Sequence, residues 1–234
     1  MIIVNGVNID EKYKTNVQIL DYLLQQREVV TYTDWLDGAF DITIHKNNKY
    51  KAFEICISML LSCNSMDACE LVRSELLNTF KSGTIQLDDM SITYDFVFKS
   101  EEIMLLNKWR YSYKLTLTAY NKKGKKQTIN FTGTEHQFTA KGTADTPAVL
   151  SVSSNIGLNS LTITGLTSRP ITINNIAINT PVVINGEQCT VEENGGNIFG
   201  RTDLWEFPVI KPGTNTIKLS SACTCTLSYQ PRYL

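Results

Sequence analysis

The stretch Ile184–Ser220 constrains the fold of this chain most, because turn signals divide it into short segments. Asn185-Gly186 and Gly195-Gly196 adopt the backbone angles of tight reversals with little strain. Pro212-Gly213 marks a further turn, since proline presets one turn angle and glycine allows the bend. Apolar and polar residues alternate between these turns, which is the period of a strand. The pattern predicts a β-meander.

Composition and turn spacing together predict two domains. The chain has 234 residues, enough for one large or two small domains. Residues 127–146 are rich in Thr, Gly, Lys and Ala and poor in large apolar residues, which favours a connection between domains. After it, turn signals recur at intervals of about 8 to 12 residues, as in a β-sandwich. We therefore expect an N-terminal domain, residues 1–133, and a C-terminal sandwich, residues 134–234.

The N-terminal part reads as a strand-rich α+β unit with one helix on a sheet, so the predicted fold class of the chain is mainly β. Apolar residues at helical spacing predict a helix from Met66 to Phe80, capped by Asn64 or Ser65. Its expected buried stripe is Ala68, Leu71, Val72, Leu76 and Phe80. Turn signals and alternation predict a short strand on each side of Asn5-Gly6 within residues 2–9, and further strands at 50–60, 85–87, 92–98 and 111–117. The segment 17–33 is expected to be extended, and an irregular link rich in Glu and Leu precedes the last strand.

Charge and hydropathy exclude several classes of protein. Hydrophobic residues make up 42% and charged residues 19% of the sequence, as in a packed globular protein. The formal net charge is -1, whereas proteins that bind nucleic-acid phosphates usually have an excess of basic residues. DNA or RNA is therefore not expected as a direct ligand. No apolar run approaches the roughly 20 residues needed to span a bilayer. We expect a protein made in a cytoplasm, with no membrane partner.

The six cysteines are expected to be buried free thiols. Cys223 and Cys225 lie two residues apart on a predicted strand, and Cys56 lies within an apolar run. Cysteine behaves in such places as a small hydrophobic residue, and no C-x-x-C pair is present for zinc or thiol exchange.

Groups for catalysis are scarce, so we expect no enzyme, no cofactor and no metal site. His45 and His136 are the two histidines, and neither belongs to a recognised catalytic or metal motif. Carboxylate pairs could hydrolyse glycosides, with Asp203 and Glu206, or Glu192 and Glu193, as candidates. Such pairs occur on most protein surfaces, so they are weak evidence for catalysis. Three aspartates, Asp34, Asp37 and Asp41, lack the ligand spacing of a calcium loop and read as turn residues.

Trp205 leaves two interpretations open. An exposed aromatic beside carboxylates can stack on a sugar ring, and Asp203, Trp205 and Tyr229 are then the residues expected to contact a glycan. Trp205 also shares one side of a two-residue period with Phe207 and Val209. Aromatic residues on the apolar side of a strand usually lie in the core, which favours burial.

Several of these segments together resemble phage distal tail proteins, the Dit family. In the C-terminal half the resemblance rests on I-N-G-E from Ile184, D-L-W-E-F-P from Asp203, K-P-G-T-N-T-I from Lys211 and Y-Q-P-R-Y from Tyr229. More loosely, the N-terminal half carries I-V-N-G, D-W-L-D-G-A, G-T-I-Q-L-D-D and Y-K-L-T-L-T-A-Y in family order.

The resemblance implies a structural protein of the virion tail. Family members form a hexameric ring through their N-terminal domains and join the tail tube protein to the tip or baseplate hub, and DNA passes through the lumen. Their C-terminal domains are galectin-like or jelly-roll sandwiches that often dock receptor-binding proteins. Here we expect ring contacts from residues 17–33 and from the hairpin at Asp88-Asp89. The alternatives are a carbohydrate-binding adhesin acting through the sandwich, and another baseplate or tube component.

Overall fold

The computed structural model of the chain describes residues 1–25, 34–36, 39–41 and 52–234. It divides into two compact units, Met1–Lys122 and Lys123–Leu234. Most of the described residues belong to antiparallel strands, which confirms the predicted mainly β class. No helix in the described ranges is long and apolar enough to cross a membrane.

The N-terminal unit is built on a seven-stranded sheet. Its elements in chain order are β1 (Ile2–Val4), β2 (Val7–Asn8), α1 (Ile9–Lys12), β3 (Val17–Leu24), β4 (Asp34–Leu36), β5 (Ala39–Asp41), β6 (Phe53–Ser62), α2 (Met66–Thr79), β7 (Ser82–Leu87), β8 (Thr93–Asn107) and β9 (Arg110–Lys123). The strand order in the sheet is β2-β1-β7-β8-β9-β6-β3. Strands β4 and β5 pair with each other in a separate hairpin.

Helix α2 forms where the sequence predicts it. Ser65 caps it, since the Ser65 hydroxyl accepts a hydrogen bond from the Ala68 amide at 3.1 Å. Val72, Leu76 and Phe80 are buried, whereas Leu71 is 68% exposed, so its predicted place in the stripe was wrong. The buried stripe of α2 starts instead at Cys69, about one turn before Val72. The short helix α1, which Asn8 caps, was not predicted.

The link predicted to be irregular before the last N-terminal strand is instead the second half of β8. Strands β8 and β9 form a long hairpin that turns at Lys108-Trp109, where Trp109 has a φ of 68°. The local sequence of residues 99–107 does not alternate, so periodicity could not identify it. Pairing with β9 determines the strand.

The C-terminal unit is a ten-stranded antiparallel arrangement around one long strand. Its elements are β10 (Gln127–Ala140), β11 (Thr146–Ser153), β12 (Leu158–Thr164), β13 (Ile171–Ile176), β14 (Val182–Asn185), β15 (Thr190–Glu193), β16 (Gly196–Asn197), a 3₁₀ turn (Phe199–Arg201), β17 (Thr202–Asp203), β18 (Val209–Ile210) and β19 (Gly213–Tyr229). The long strand is β19, which pairs with β10 on one side and with β11 and β12 on the other.

The segment predicted to connect the domains is mostly strand β10. It pairs with β19 from Gln127 opposite Tyr229 to Ala140 opposite Gly213, with a bulge between Gly133 and Glu135. Its composition is weakly apolar because only a few of its side chains, such as Phe131, reach the core. The domain boundary expected after residue 133 falls inside this strand.

All six cysteines are free, but they are not all buried. Cys69, Cys223 and Cys225 lie in the core, and burial raises the pKa of the Cys225 thiol to about 12. Cys56 and Cys63 are half-buried. Cys189 is exposed in the turn between β14 and β15, so the prediction of a buried thiol was wrong there.

Candidate functional site

The turn after β14 brings three backbone segments together beside a groove on the C-terminal unit. The Gly186 amide donates to Ala148 O at 2.8 Å, and the Ala148 amide donates to Pro208 O at 2.9 Å. A Cβ on Gly186 would lie 2.5 Å from Pro208 O and 2.7 Å from Ala148 O. Position 186 therefore requires glycine, because the backbones of Ala148 and Pro208 approach it too closely for a side chain. The positive φ of this turn falls on Cys189 instead, and Asn185 closes it by accepting from the Glu187 amide at 3.0 Å.

The segment from Leu204 to Pro208 is not a strand, which corrects the predicted alternation around Trp205. Strand β17 ends at Asp203, and β18 begins only at Val209. Pro208 has no amide hydrogen for a ladder, and its carbonyl is used by Ala148. Trp205 lies outside any strand and is 72% exposed, so the interpretation of Trp205 as a core residue was wrong.

Contacts with the loop after β12 fix the position of the Trp205 segment. The Glu206 carboxylate accepts hydrogen bonds from the Ser168 amide at 3.0 Å and from the Ser168 hydroxyl at 2.8 Å. The amide hydrogen bond, followed by that of the hydroxyl, lowers the pKa of Glu206 below its usual range. Next to Ser168, the Arg169 guanidinium lies 5.1 Å from the centre of the Trp205 ring. Each of the two loops thus orients the other.

These loops border a groove with a volume of about 790 Å³. Aromatic, hydroxyl and charged side chains share its surface. The lining residues are Asp145, Gly165, Leu166, Thr167, Ser168, Cys189, Trp205, Glu206, Phe207, Val209, Lys211, Thr214, Asn215 and Thr216. We call it the Trp205 groove.

The structure does not bring the three expected glycan contacts together. Trp205 lines the groove. Asp203 is exposed but pairs with Thr172 at the edge of the sheet and is not part of the lining. Tyr229 is only 3% exposed, and its hydroxyl accepts a hydrogen bond from the Lys141 amide at 3.2 Å. A glycan contact stays a prediction, and Trp205 is the residue of the three that the geometry favours.

Two of the carboxylates and one of the histidines considered for catalysis have structural partners. Glu193 forms an ion pair with Arg201 at 2.7 Å, and Glu206 holds Ser168. His136 stacks on Phe131 with ring centres 4.6 Å apart. His45 lies outside the described residues. In the described part of the chain, no cluster of three or more His, Cys, Asp or Glu side chains could hold a metal ion.

Sequence reasoning missed an exposed apolar patch on the N-terminal unit. Ile103, Met104, Leu105 and Leu106 are 40%, 61%, 61% and 50% exposed, and we call them the hairpin patch. They lie near the end of β8, beyond the five residues, Thr93 to Val97, that pair with β7. Among the described strands, only β9 borders β8 at the patch. Four consecutive apolar residues outside any predicted element were the available signal.

Comparisons with known proteins agree with this architecture. Residues 141–233 match the family described as the siphovirus-type tail component, C-terminal domain. The crystal structure of the Dit protein of phage SPP1 superposes with a TM-score of 0.77 at 13% identity, over 100% of this chain and 98% of that one. A chain of the phage P2 baseplate, in its activated conformation with Ca, superposes with a TM-score of 0.52 at 9% identity. That alignment covers 92% of this chain and 90% of the P2 chain.

No curated protein sequence matches this chain significantly. The resemblance predicted from the sequence is nevertheless confirmed, because residues 141–233 match the siphovirus-type tail-component family and the chain has the fold of the SPP1 Dit protein.

Proposed function

We propose that this protein is a structural component of a phage tail that forms a hexameric ring between the tail tube and the tip or baseplate hub. The observation that carries the proposal is the family match over residues 141–233. The fold shared with SPP1 Dit over 100% of this chain supports it. The SPP1 protein is described as a paradigm of the hub of an adsorption apparatus in phages that infect Gram-positive bacteria.

The N-terminal unit has features suited to making the ring. A strand with an unpaired edge can pair with another chain, and along the hairpin patch no described strand other than β9 pairs with β8. Consecutive exposed apolar residues such as Met104 and Leu105 favour a contact that removes them from water. A ring repeats one heterologous contact between successive subunits, so each chain presents two different surfaces, and we assign the hairpin patch to one of them.

The C-terminal unit is proposed as the docking platform for receptor-binding components. In this arrangement the partners of the ring are the tail tube protein on one side and the hub protein on the other. DNA passes through the lumen without being recognised. The protein therefore belongs to the virion tail and performs no catalysis.

Light scattering of the full chain at several concentrations tests the ring. We expect a hexamer, alone or after addition of the tail tube protein of the same phage. Met104→Glu combined with Leu105→Glu should abolish assembly, because charge is costly in an apolar contact. Ile178→Glu is the matched control, since Ile178 is 58% exposed on the C-terminal unit. A wild-type chain that stays monomeric under both conditions would overturn the proposal.

Carbohydrate binding is a second candidate function, as an adhesin acting through the sandwich. The observation that favours it is the 72% exposure of Trp205 at the groove. Binding of a soluble saccharide to the full chain tests this function independently of assembly.

A further inference from the structure

We propose that the Trp205 groove binds a neutral pyranose that stacks on the Trp205 indole. The inference rests on the second candidate function, carbohydrate binding, and names its site and the class of sugar. A volume of about 790 Å³ is within the usual range of small-molecule sites and holds at least one sugar ring.

Trp205 provides the apolar platform. An indole that is 72% exposed leaves a large apolar surface in water, and stacking of the C–H face of a sugar removes part of it. The Arg169 guanidinium, 5.1 Å from the ring centre, occupies one face of the indole. We assign the sugar to the opposite face.

The platform is ordered before the ligand arrives. Glu206, the neighbour of Trp205, is tied to Ser168 by hydrogen bonds of 3.0 and 2.8 Å. Binding therefore requires little further ordering of this loop, which lowers its entropic cost.

Polar groups of the groove are available for sugar hydroxyls. Asp145, Lys211 and Thr214 are exposed in its lining. In the described part of the chain, the side chains of Asp145 and Lys211 make no hydrogen bond, and Lys211 interacts electrostatically with Glu206. Asn215, in contrast, is committed to the turn, because its amide donates to Lys211 O at 2.8 Å and to Gly213 O at 2.9 Å.

The balance of charge selects a neutral ligand. Two carboxylates, Asp145 and Glu206, line the groove together with Lys211, and Arg169 lies against Trp205. These four formal charges cancel. A polyanion such as a phosphate-linked polymer finds no excess of cations here, so a neutral sugar fits better.

Fluorine NMR of the full chain labelled with 5-fluorotryptophan tests the site. The chain has three tryptophans, so three signals are expected. The probes are the methyl glycosides of glucose, galactose, rhamnose and N-acetylglucosamine. At least one probe should shift the Trp205 signal and saturate with a Kd of about 1 to 10 mM. The signals of Trp35 and Trp109, both in the N-terminal unit, serve as internal controls.

Variants separate the groove from the rest of the surface. Affinities of the variants are measured by saturation-transfer difference NMR of the saccharide, which does not need the Trp205 signal. Trp205→Ala should weaken binding at least about fivefold, and Lys211→Ala should weaken it about twofold to threefold. Ile178→Ala should leave affinity unchanged. Saccharide binding that leaves the Trp205 signal unmoved, or that Trp205→Ala retains in full, overturns this site but not the binding function. If none of the four saccharides shifts a tryptophan signal or shows saturation transfer, the site and the carbohydrate-binding function are both overturned.

Discussion

The Arg73 guanidinium donates two hydrogen bonds to the Glu101 carboxylate, from Nε to Oε2 at 3.2 Å and from Nη2 to Oε1. This pair joins helix α2 to strand β8 just before the hairpin patch. The Tyr113 hydroxyl also donates to Glu101. The hydrogen bond from Arg73, and less so that from Tyr113, lowers the pKa of Glu101. Burial, followed by the hydrogen bond to Glu101, raises the pKa of Tyr113.

Glu101→Gln should therefore reduce the free energy of unfolding by about 1–2 kcal/mol at neutral pH. A carboxylate whose folded pKa is depressed stabilises the protein above its ordinary pKa of 4.5, and the contribution is lost as pH falls through the folded pKa. The difference in free energy of unfolding between the wild type and Glu101→Gln should thus be smaller at about pH 3 than at neutral pH. Urea unfolding at both pH values measures it.

The control for this pair is Glu102→Gln. The Glu102 side chain is 70% exposed, and its nearest cation, Lys114, lies at 3.8 Å. Glu102→Gln should change the free energy of unfolding by no more than about 0.5 kcal/mol. If Glu101→Gln and Glu102→Gln lowered the free energy of unfolding equally, the stabilising role of the Arg73–Glu101 pair would be contradicted.

Gly186→Ala should destabilise the C-terminal unit by about 1–3 kcal/mol, because the new Cβ would meet Pro208 O and Ala148 O. Gly200→Ala is the matched control, since a Cβ there meets nothing within 4 Å. Thermal unfolding of the two variants provides the measurement. A Gly186→Ala protein as stable as Gly200→Ala would show that the close approach is absent.

Glu206→Ala should increase hydrogen exchange at the Ser168 amide by about threefold to tenfold, because the amide loses its carboxylate acceptor. Exchange measured by NMR or mass spectrometry reports the change. Glu187→Ala, in the exposed turn after β14, should leave Ser168 unaffected. Unchanged exchange in Glu206→Ala would mean that the carboxylate does not hold this loop.

Cys189 should be alkylated by iodoacetamide before the other five cysteines, because it is the exposed thiol. Cys223 and Cys225 should react only after unfolding, since burial raises the pKa of both thiols. Peptide mapping after brief labelling gives the order. Modification of Cys225 as early as Cys189 would contradict the buried placement.

Local signals were sufficient for some elements and insufficient for others. Helix α2, with its cap at one of the two residues proposed, and strand β6 depend on residues within single segments, and the sequence predicts both elements where the structure has them. The reversal near Gly195 is also correct, with positive φ at Asn194 and Gly195. The end of β8 lacks an alternating pattern of its own and is a strand because it pairs with β9. The whole of β10 depends on β19, a partner strand far along the chain that no local window contains.

The amino-acid sequence by itself determined the mainly β class, helix α2 and the resemblance to distal tail proteins, because periodicity, caps and turn residues act over a few neighbours. Only the tertiary structure decided the exposure of Trp205. Its alternation with Phe207 suggested a core strand, but Pro208, the Glu206 contact to Ser168 and the packing at Gly186 hold the segment as a loop. Which side of a chain faces water is set by what packs against it, and those contacts come from distant residues.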